Sequence, residues 1–307
     1  MSASSEPSDS GHQTQAAPRH EKLRSEVYSY EEIQIIVNFL FERTEQRPTF
    51  GIICGSGLGG LADMITEREM FPYNKIPGFP VSTVPGHAGR LVFGKLKGKT
   101  VVCMQGRFHP YEGYPMIKCA MPVRVMSLMG VKWLVVTNAA GGLHPDYNVG
   151  DIMVIKDHIN FPGLAGNSPL IGHNDERFGL RFPSMSDAYD RDARRIALDI
   201  GKKLGYSDFM REGVYSMQAG PCFETIAECK FLRTIGADVT GMSTVHEVMV
   251  ARHCGIKVVG MSLVTNKCVM DYDNENHPNH EEVLETGRKR GECMQRLTAA
   301  IVEKLSC

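Results

Sequence analysis

The sequence is short of the features that mark several large classes of protein. No apolar run reaches the ~18 residues that a membrane-spanning helix requires, and the N-terminus lacks the apolar core of a secretory signal. A basic excess is missing as well. The 34 Lys and Arg stand against 35 Asp and Glu, a formal charge of −1 that gives no support to a nucleic-acid-binding face. The nine cysteines contain no C-x-x-C pair, and their odd number does not fit a closed disulfide framework. Several sit inside apolar runs, such as Ile52-Ile53-Cys54 and Val101-Val102-Cys103, as buried free thiols do. A cytoplasmic protein is expected, with neither membrane nor nucleic acid as a partner.

What is present suits a packed enzyme domain. Hydrophobic residues make up 42% of the 307 and charged residues 22%, enough to bury a sizeable core. Residues 1–24 are rich in Ser, Glu, Gln, His and Pro and hold almost nothing apolar larger than alanine. Such a segment cannot offset its ordering entropy, so a disordered tail is expected there and one domain over 25–307. Order begins at Ser29-Tyr30-Glu31-Glu32, a capping box followed by Ile33, Ile36, Val37 and Leu40 at helical spacing. Apolar runs at 50–54, 91–93, 101–105, 133–137, 152–157, 214–218 and 258–264 read as strands. Helical patterns cover 116–128, 189–204, 225–232, 247–254 and 281–305, with Asp187 as the N-cap and Gly205 as the stop of the second. Alternation of this kind predicts a single α/β domain whose mixed, mostly parallel central sheet is flanked by helices. Residues 161–186, dense in Gly, Pro and Asn, form a long irregular stretch of the sort that is functional or interface-forming.

Three motifs invite a wrong reading. Gly55-Ser56-Gly57-Leu58-Gly59-Gly60 spells G-x-G-x-x-G, but the acidic residue a dinucleotide site needs at the end of the next strand is replaced by the turn-like Lys75-Ile76-Pro77-Gly78. A glycine turn that opens a helix and offers backbone N–H groups to an anion is the sturdier reading. The run from Gly89 to Lys95 resembles a P-loop, yet Leu96 occupies the magnesium-binding Ser/Thr position. His246-Glu247 begins like a zinc protease motif, but Val250 stands where the second histidine belongs, so no metal is expected.

A more coherent set follows the strand candidates. Five polar segments stand beside strand ends: 55–60, 85–90, 105–109, 137–142 and 265–267. In open α/β sheets ligands bind beyond the carboxyl ends of strands, so these segments should converge. Arg107 supplies a planar fork for an oxyanion, His87, His109 and Ser56 add donors, and the glycines let backbone amides approach. Together they describe a phosphate cradle without a P-loop. Each residue alone has a plainer reading as an ion-pair partner, a structural histidine or a turn residue.

These segments, with Ala219-Gly220-Pro221-Cys222-Phe223-Glu224-Thr225, Gly241-Met242-Ser243-Thr244 and Thr265-Asn266-Lys267, resemble the homotrimeric purine nucleoside phosphorylases. The resemblance runs in order over about residues 29–305. It implies the nucleoside phosphorylase fold and reversible phosphorolysis of inosine, guanosine and their 2′-deoxy forms to free base and (deoxy)ribose 1-phosphate, in purine salvage. It further implies that Ser56, His87, Arg107, Phe108, His109, Ala139 and Ser243 hold phosphate. Tyr111 and Met242 would line the ribose, His280 would bond its 5′-hydroxyl, and Phe223 would stack on the purine. Glu224, Asn266 and His109 are the implied catalytic residues, the first two reading the purine edge. Phe182 would reach the sugar of a neighbouring subunit in a homotrimer. No cofactor is implied, since phosphate is itself the co-substrate. Three positions depart from the pattern: Cys222 for serine, Thr240 for valine and His246 for proline. Thr240 puts fine purine preference in question, whereas Cys222 and His246 are expected to alter packing only. The rival readings are a methylthioadenosine phosphorylase, which would carry aspartate at 266 and an apolar residue near 280, and a catalytically silent nucleoside- or phosphate-binding protein.

Overall fold

The computed structural model describes residues 28–274 and 279–306, so the expected tail at 1–24 lies outside the described residues. Helix α1 (Tyr30–Phe41) starts as the sequence reads. Ser29 Oγ accepts from Glu32 N at 3.1 Å, Ser29 N donates to Glu32 Oε2 at 2.8 Å, and Ile33, Ile36, Val37 and Leu40 face the core. Strand β1 (Phe50–Cys54) is buried throughout. The helix expected after the glycine loop is a short 3-10 helix (Gly59–Met64), which leads to β2 (Thr66–Pro72). Strands β3 (Arg90–Leu96) and β4 (Lys99–Gln105) form a hairpin, and helix α2 (Met116–Leu128) follows despite Pro122 in its interior. Next come β5 (Trp133–Gly142), β6 (Ile152–Asn160) and the single-turn α3 (Phe161–Leu164), which is all the regular structure in the irregular stretch. Helix α4 (Arg191–Lys203), β7 (Met210–Met217), α5 (Ile226–Thr234), β8 (Val239–Gly241), α6 (Val245–His253), β9 (Lys257–Lys267) and α7 (His280–Lys304) complete the chain.

The expected N-cap of α4 is corrected. Asp190, not Asp187, caps it by accepting from Ala193 N at 2.9 Å, while Asp187 pairs with Arg252 at 2.8 Å. Two strands go unread in the sequence: β2, whose Thr66-Glu67-Arg68-Glu69 start is polar and exposed, and β8, three residues long.

The nine strands run β2-β3-β4-β1-β5-β8-β7-β6-β9, and β9 returns to pair with β5. The second half of the sheet therefore closes on itself as a five-strand ring, β5-β8-β7-β6-β9, with the first four strands extending from it. The sheet is mixed, with five parallel pairings against four antiparallel. Both faces of its centre are covered, which is why its strands read as continuous apolar runs. Ile53, Val102, Met104, Leu134 and Val136 turn to one core with residues of α1, α2 and α6. Their neighbours Ile52, Cys54, Val101, Cys103 and Val135 turn to the other, with Ala193 and Ala197 of α4 and Met294 and Leu297 of α7. The period of two along each strand divides the side chains between two helix layers. Because β1, β4, β5 and β9 are mutually parallel, their carboxyl ends arrive at one edge.

Candidate active site

At that edge lies a cavity of about 410 Å³. Its wall includes Ser56, Arg107, His109, Tyr111, Ala139, Phe223, Glu224, Met242, Ser243 and Asn266, ten of the residues singled out in the sequence. The backbone explains the convergence. The Gly55 position lies so close to β5 that a Cβ there would sit 2.7 Å from Asn138 Cα, so only glycine lets the loop after β1 cross over. Gly220 has φ 70°, and a Cβ on it would meet Met242 Sδ at 2.6 Å and Tyr111 Cδ1 at 3.0 Å. The segments at 137–142 and 265–267 differ from expectation: they are the paired last residues of β5 and β9, not loops beyond them. Strand pairing gives Ala139 and Asn266 a fixed register that a loop would lack.

Arg107 departs most from the sequence reading. Its side chain is 1% exposed, and its planar fork is already occupied, Nε donating to Glu247 Oε1 at 3.0 Å and Nη2 to Glu247 Oε2 at 2.9 Å. Nη1 donates to Thr137 O at 2.8 Å and to Ser243 Oγ at 3.2 Å. The guanidinium therefore cannot grip an anion bidentately. It presents its remaining edge and its charge, and it orients Ser243. Glu247, in the first turn of α6, belongs to this machinery although only its failed zinc motif had drawn attention. Between Ser243 and α6, Thr244 has φ 76° without being glycine, a strained conformation held by Asn138 Nδ2 donating to its Oγ1 at 3.0 Å.

The two histidines occupy different layers. His109 lies in the wall, where Glu112 Oε1 accepts from its backbone N at 2.8 Å and lies 3.2 Å from its Nδ1. A proton on Nδ1 directed at that carboxylate leaves Nε2 as the nitrogen available to a ligand. Burial lowers the pKa of His109 and the Glu112 contact only partly offsets it, so the ring is neutral near pH 7. Glu112 also accepts from Thr83 N at 2.7 Å and Thr83 Oγ1 at 2.8 Å. Burial raises its carboxyl, but the bonds from His109 and Thr83 outweigh that and leave it at about 2. His87 stands behind the wall with Nε2 3.3 Å from Ser56 Oγ, and Arg107 N donates to its Nδ1 at 3.3 Å. Burial, aided by His109 and Arg107, brings His87 down to about 4. The histidine rings stack at 5.6 Å, and Tyr111 stacks on His109 at 4.6 Å.

A second group forms where β5 meets β8 and β9. Glu224 precedes the N-cap Thr225 of α5, so it is not the first-turn acid its position suggests. Thr240 Oγ1 donates to Glu224 Oε1 at 2.8 Å, giving the departure at position 240 a definite contact. Burial raises the Glu224 pKa, and the Thr240 bond works against that rise. Asn266 is buried opposite Gly141 of β5, and its Oδ1 accepts from Thr265 Oγ1 at 3.3 Å. Glu112 was not expected in the wall, whereas Thr240 lines it as its place near Met242 suggested; both have partners fixed only by the fold.

Three described residues from the sequence reading do not line the cavity. Phe108 is fully buried among Tyr73, Phe79 and Tyr114, with ring centroids 5.1 to 6.0 Å away, so its side chain cannot touch phosphate. His87 reaches the cavity only through Ser56. Phe182 is 87% exposed on the irregular segment. The His280 side chain lies outside the described residues. His246 is fully buried beside Arg107 and Glu247, where burial lowers it to about 4. Cys222 is exposed.

A family model of the phosphorylase superfamily matches residues 49–303, the stretch that supplies the described wall of this cavity. The chain is 56% identical over 278 residues to purine nucleoside phosphorylase of Bos taurus, covering 91% of this chain and 96% of that protein. Solved structures of Schistosoma mansoni purine nucleoside phosphorylase with inosine and with adenosine are each 50% identical, with TM-score 0.87 over 90% of this chain and 97% and 98% of theirs. The chain belongs to the purine nucleoside phosphorylase family.

Proposed function

We propose that this protein catalyses reversible phosphorolysis of 6-oxopurine nucleosides, inosine and guanosine in ribo- and 2′-deoxy form, releasing free base and (deoxy)ribose 1-phosphate for purine salvage. The observation that carries the reading is the single cavity whose wall holds both an anion group (Ser56, His109, Ser243 and the Arg107 edge) and a purine-reading pair (Glu224 and Asn266). Phosphate is the nucleophile, so neither an activated serine or cysteine nor a cofactor or metal enters the reaction. The anion held beneath C1′ stabilises a cationic sugar by charge and proximity. His109, neutral with Nε2 unprotonated, takes the hydroxyl proton of monohydrogen phosphate and sharpens its charge as the bond to the sugar breaks.

On the leaving side the Asn266 amide donates to O6 and accepts from a protonated N7, while the Glu224 carboxylate accepts from N1–H and the guanine 2-amino group. Adenine offers a lone pair at N1 and a donor at position 6, mismatching both. A mismatch of buried polar groups discriminates by roughly 10⁴-fold in kcat/KM. Occupancy by adenosine in the Schistosoma relative is binding, and the discrimination expected here is in turnover. Tyr111, Met242 and His280 hold the ribose, and Phe223 covers the base. Phe182, projecting from residues 161–186, reaches the sugar of a neighbouring subunit in a homotrimer; light scattering that returned a monomer would remove this role. The eight described cysteines are free thiols, in keeping with a cytoplasmic setting.

The deciding experiment couples hypoxanthine release from inosine to uric acid formation, with and without inorganic phosphate. We expect release that depends on phosphate. Equal rates in anion-depleted buffer, or no release at all, would overturn the proposal.

A further inference from the structure

We infer that Glu224, Cys229 and Cys268 form a binding site for a thiophilic divalent cation, zinc above all, and that an ion there withdraws Glu224 from the purine. A carboxylate oxygen of Glu224 and the two Sγ atoms lie within 4.8 Å of one another, the one such cluster among the described residues. Two thiolates and a carboxylate are a donor set that zinc accepts at about 2.0–2.3 Å per bond, with water in the fourth position. Sulfurs on one tetrahedral zinc stand ~3.8 Å apart, so a shift of about 1 Å closes the site.

The backbone holds these donors together. Cys229 lies in the first turn of α5, its N donating to Thr225 O at 2.9 Å, and Thr225 is fixed in turn by a capping box with Glu228. Cys268 directly follows β9, with its N donating to Gly142 O at 3.0 Å. The sulfur of Cys268 fits only because residue 141 is glycine, where a Cβ would approach it to 2.8 Å. Cys229 is buried and Cys268 and Glu224 are half-buried; of the three, Glu224 lines the cavity, with the two thiols behind it in a small core cluster. Thr240 holds Oε1 of the carboxylate, which leaves Oε2 as its second donor atom. Both thiols are spare, since phosphorolysis uses neither. The ion has no part in the reaction: it competes with N1–H of the purine for one carboxylate.

The inhibitory half rests on the reading of Glu224 as the purine-recognising group; the binding half does not. The test uses the whole reduced, chelator-stripped protein titrated with Co²⁺. We expect thiolate-to-cobalt charge-transfer absorption in the near ultraviolet that saturates at one ion per chain, vanishes on adding Zn²⁺ and is absent from Cys268→Val and Cys229→Ser. In parallel, zinc should raise KM for inosine by ~10-fold or more in the parent protein and leave Cys268→Val unaffected. Both variants should match the parent in metal-free phosphorolysis, showing that they fold. Lack of the absorption, or its persistence in both cysteine variants, overturns the site. The absorption without any effect of zinc on KM upholds the site and overturns the role of Glu224.

Discussion

The two groups that share the cavity are built on opposite plans. On the anion side, Arg107, Glu247, Ser243 and Thr137 are buried and lock one another through hydrogen bonds of 2.8 to 3.2 Å. On the nucleoside side, Phe223 is 41% exposed and Glu224 has one side-chain hydrogen bond, from Thr240. The first wall is assembled by folding itself, so losing a member costs stability as well as turnover. The second is completed by the substrate, so losing a member should cost turnover alone. On the proposed reading, a fixed anion site and an adaptable base site allow binding energy from the purine to order its own surroundings.

Four substitutions test that division, taken from the largest effect downward. Glu247→Gln leaves the Arg107 charge buried without a counter-charge, a loss of about 3–5 kcal/mol. Thermal melting should show a fall on the order of 10 °C, and an unchanged melt would mean that the pair does not hold the wall. Glu224→Ala should lower kcat/KM for inosine by ~10²-fold, the weight of one charged hydrogen bond, while the melting temperature moves far less. A melt that drops as far as that of Glu247→Gln would erase the contrast between the two walls.

Thr240→Val removes the donor to Glu224 and should reduce kcat/KM by less than ~10-fold. Because that bond opposes the burial-driven rise of the Glu224 pKa, its loss should move the acid limb of the pH–rate profile upward. A limb that stays in place would detach Glu224 from that ionisation. The last substitution is read through its pH dependence and concerns Glu112, whose folded pKa is about 2 against an ordinary 4.5. A depressed carboxyl stabilises the fold above its ordinary pKa, and that contribution is lost as pH falls from about 4.5 toward about 2. Denaturant titrations of the parent and Glu112→Gln should therefore converge across that window. Parallel curves would sink the assignment.

The sequence carried much of this because its signals are local. The capping box at Ser29, the helix over Met116–Leu128 and the buried runs of β1 and β4 depend on neighbours within a few residues. Strand β2 did not announce itself, since its polar, exposed residues show no buried alternation, and β8 is too short for any period. Within the site, Ser56, His109 and Asn266 stood beside glycine turns or strand ends and so were legible, whereas Glu224 was reached only through the family resemblance. Glu247 meets Arg107 across 140 residues of sequence, and no spacing rule reaches that far. The same distance explains why Arg107 looked like an open fork. For Phe108, the motif's spelling could not say which way a ring between two functional residues would point.

Ring closure at one end of the sheet has a bearing on how the protein behaves when crowded. Among the described residues, β2 is the one strand left with a single partner. An unpaired edge is where chains add to each other and grow into aggregates. Here the vulnerable strand begins Thr66-Glu67-Arg68-Glu69, with Glu67 at φ 51° and a break in register between Thr66 and Glu69. Charge and an irregular backbone make that border a poor template for stray strands, so concentrated solutions should resist fibril growth from it.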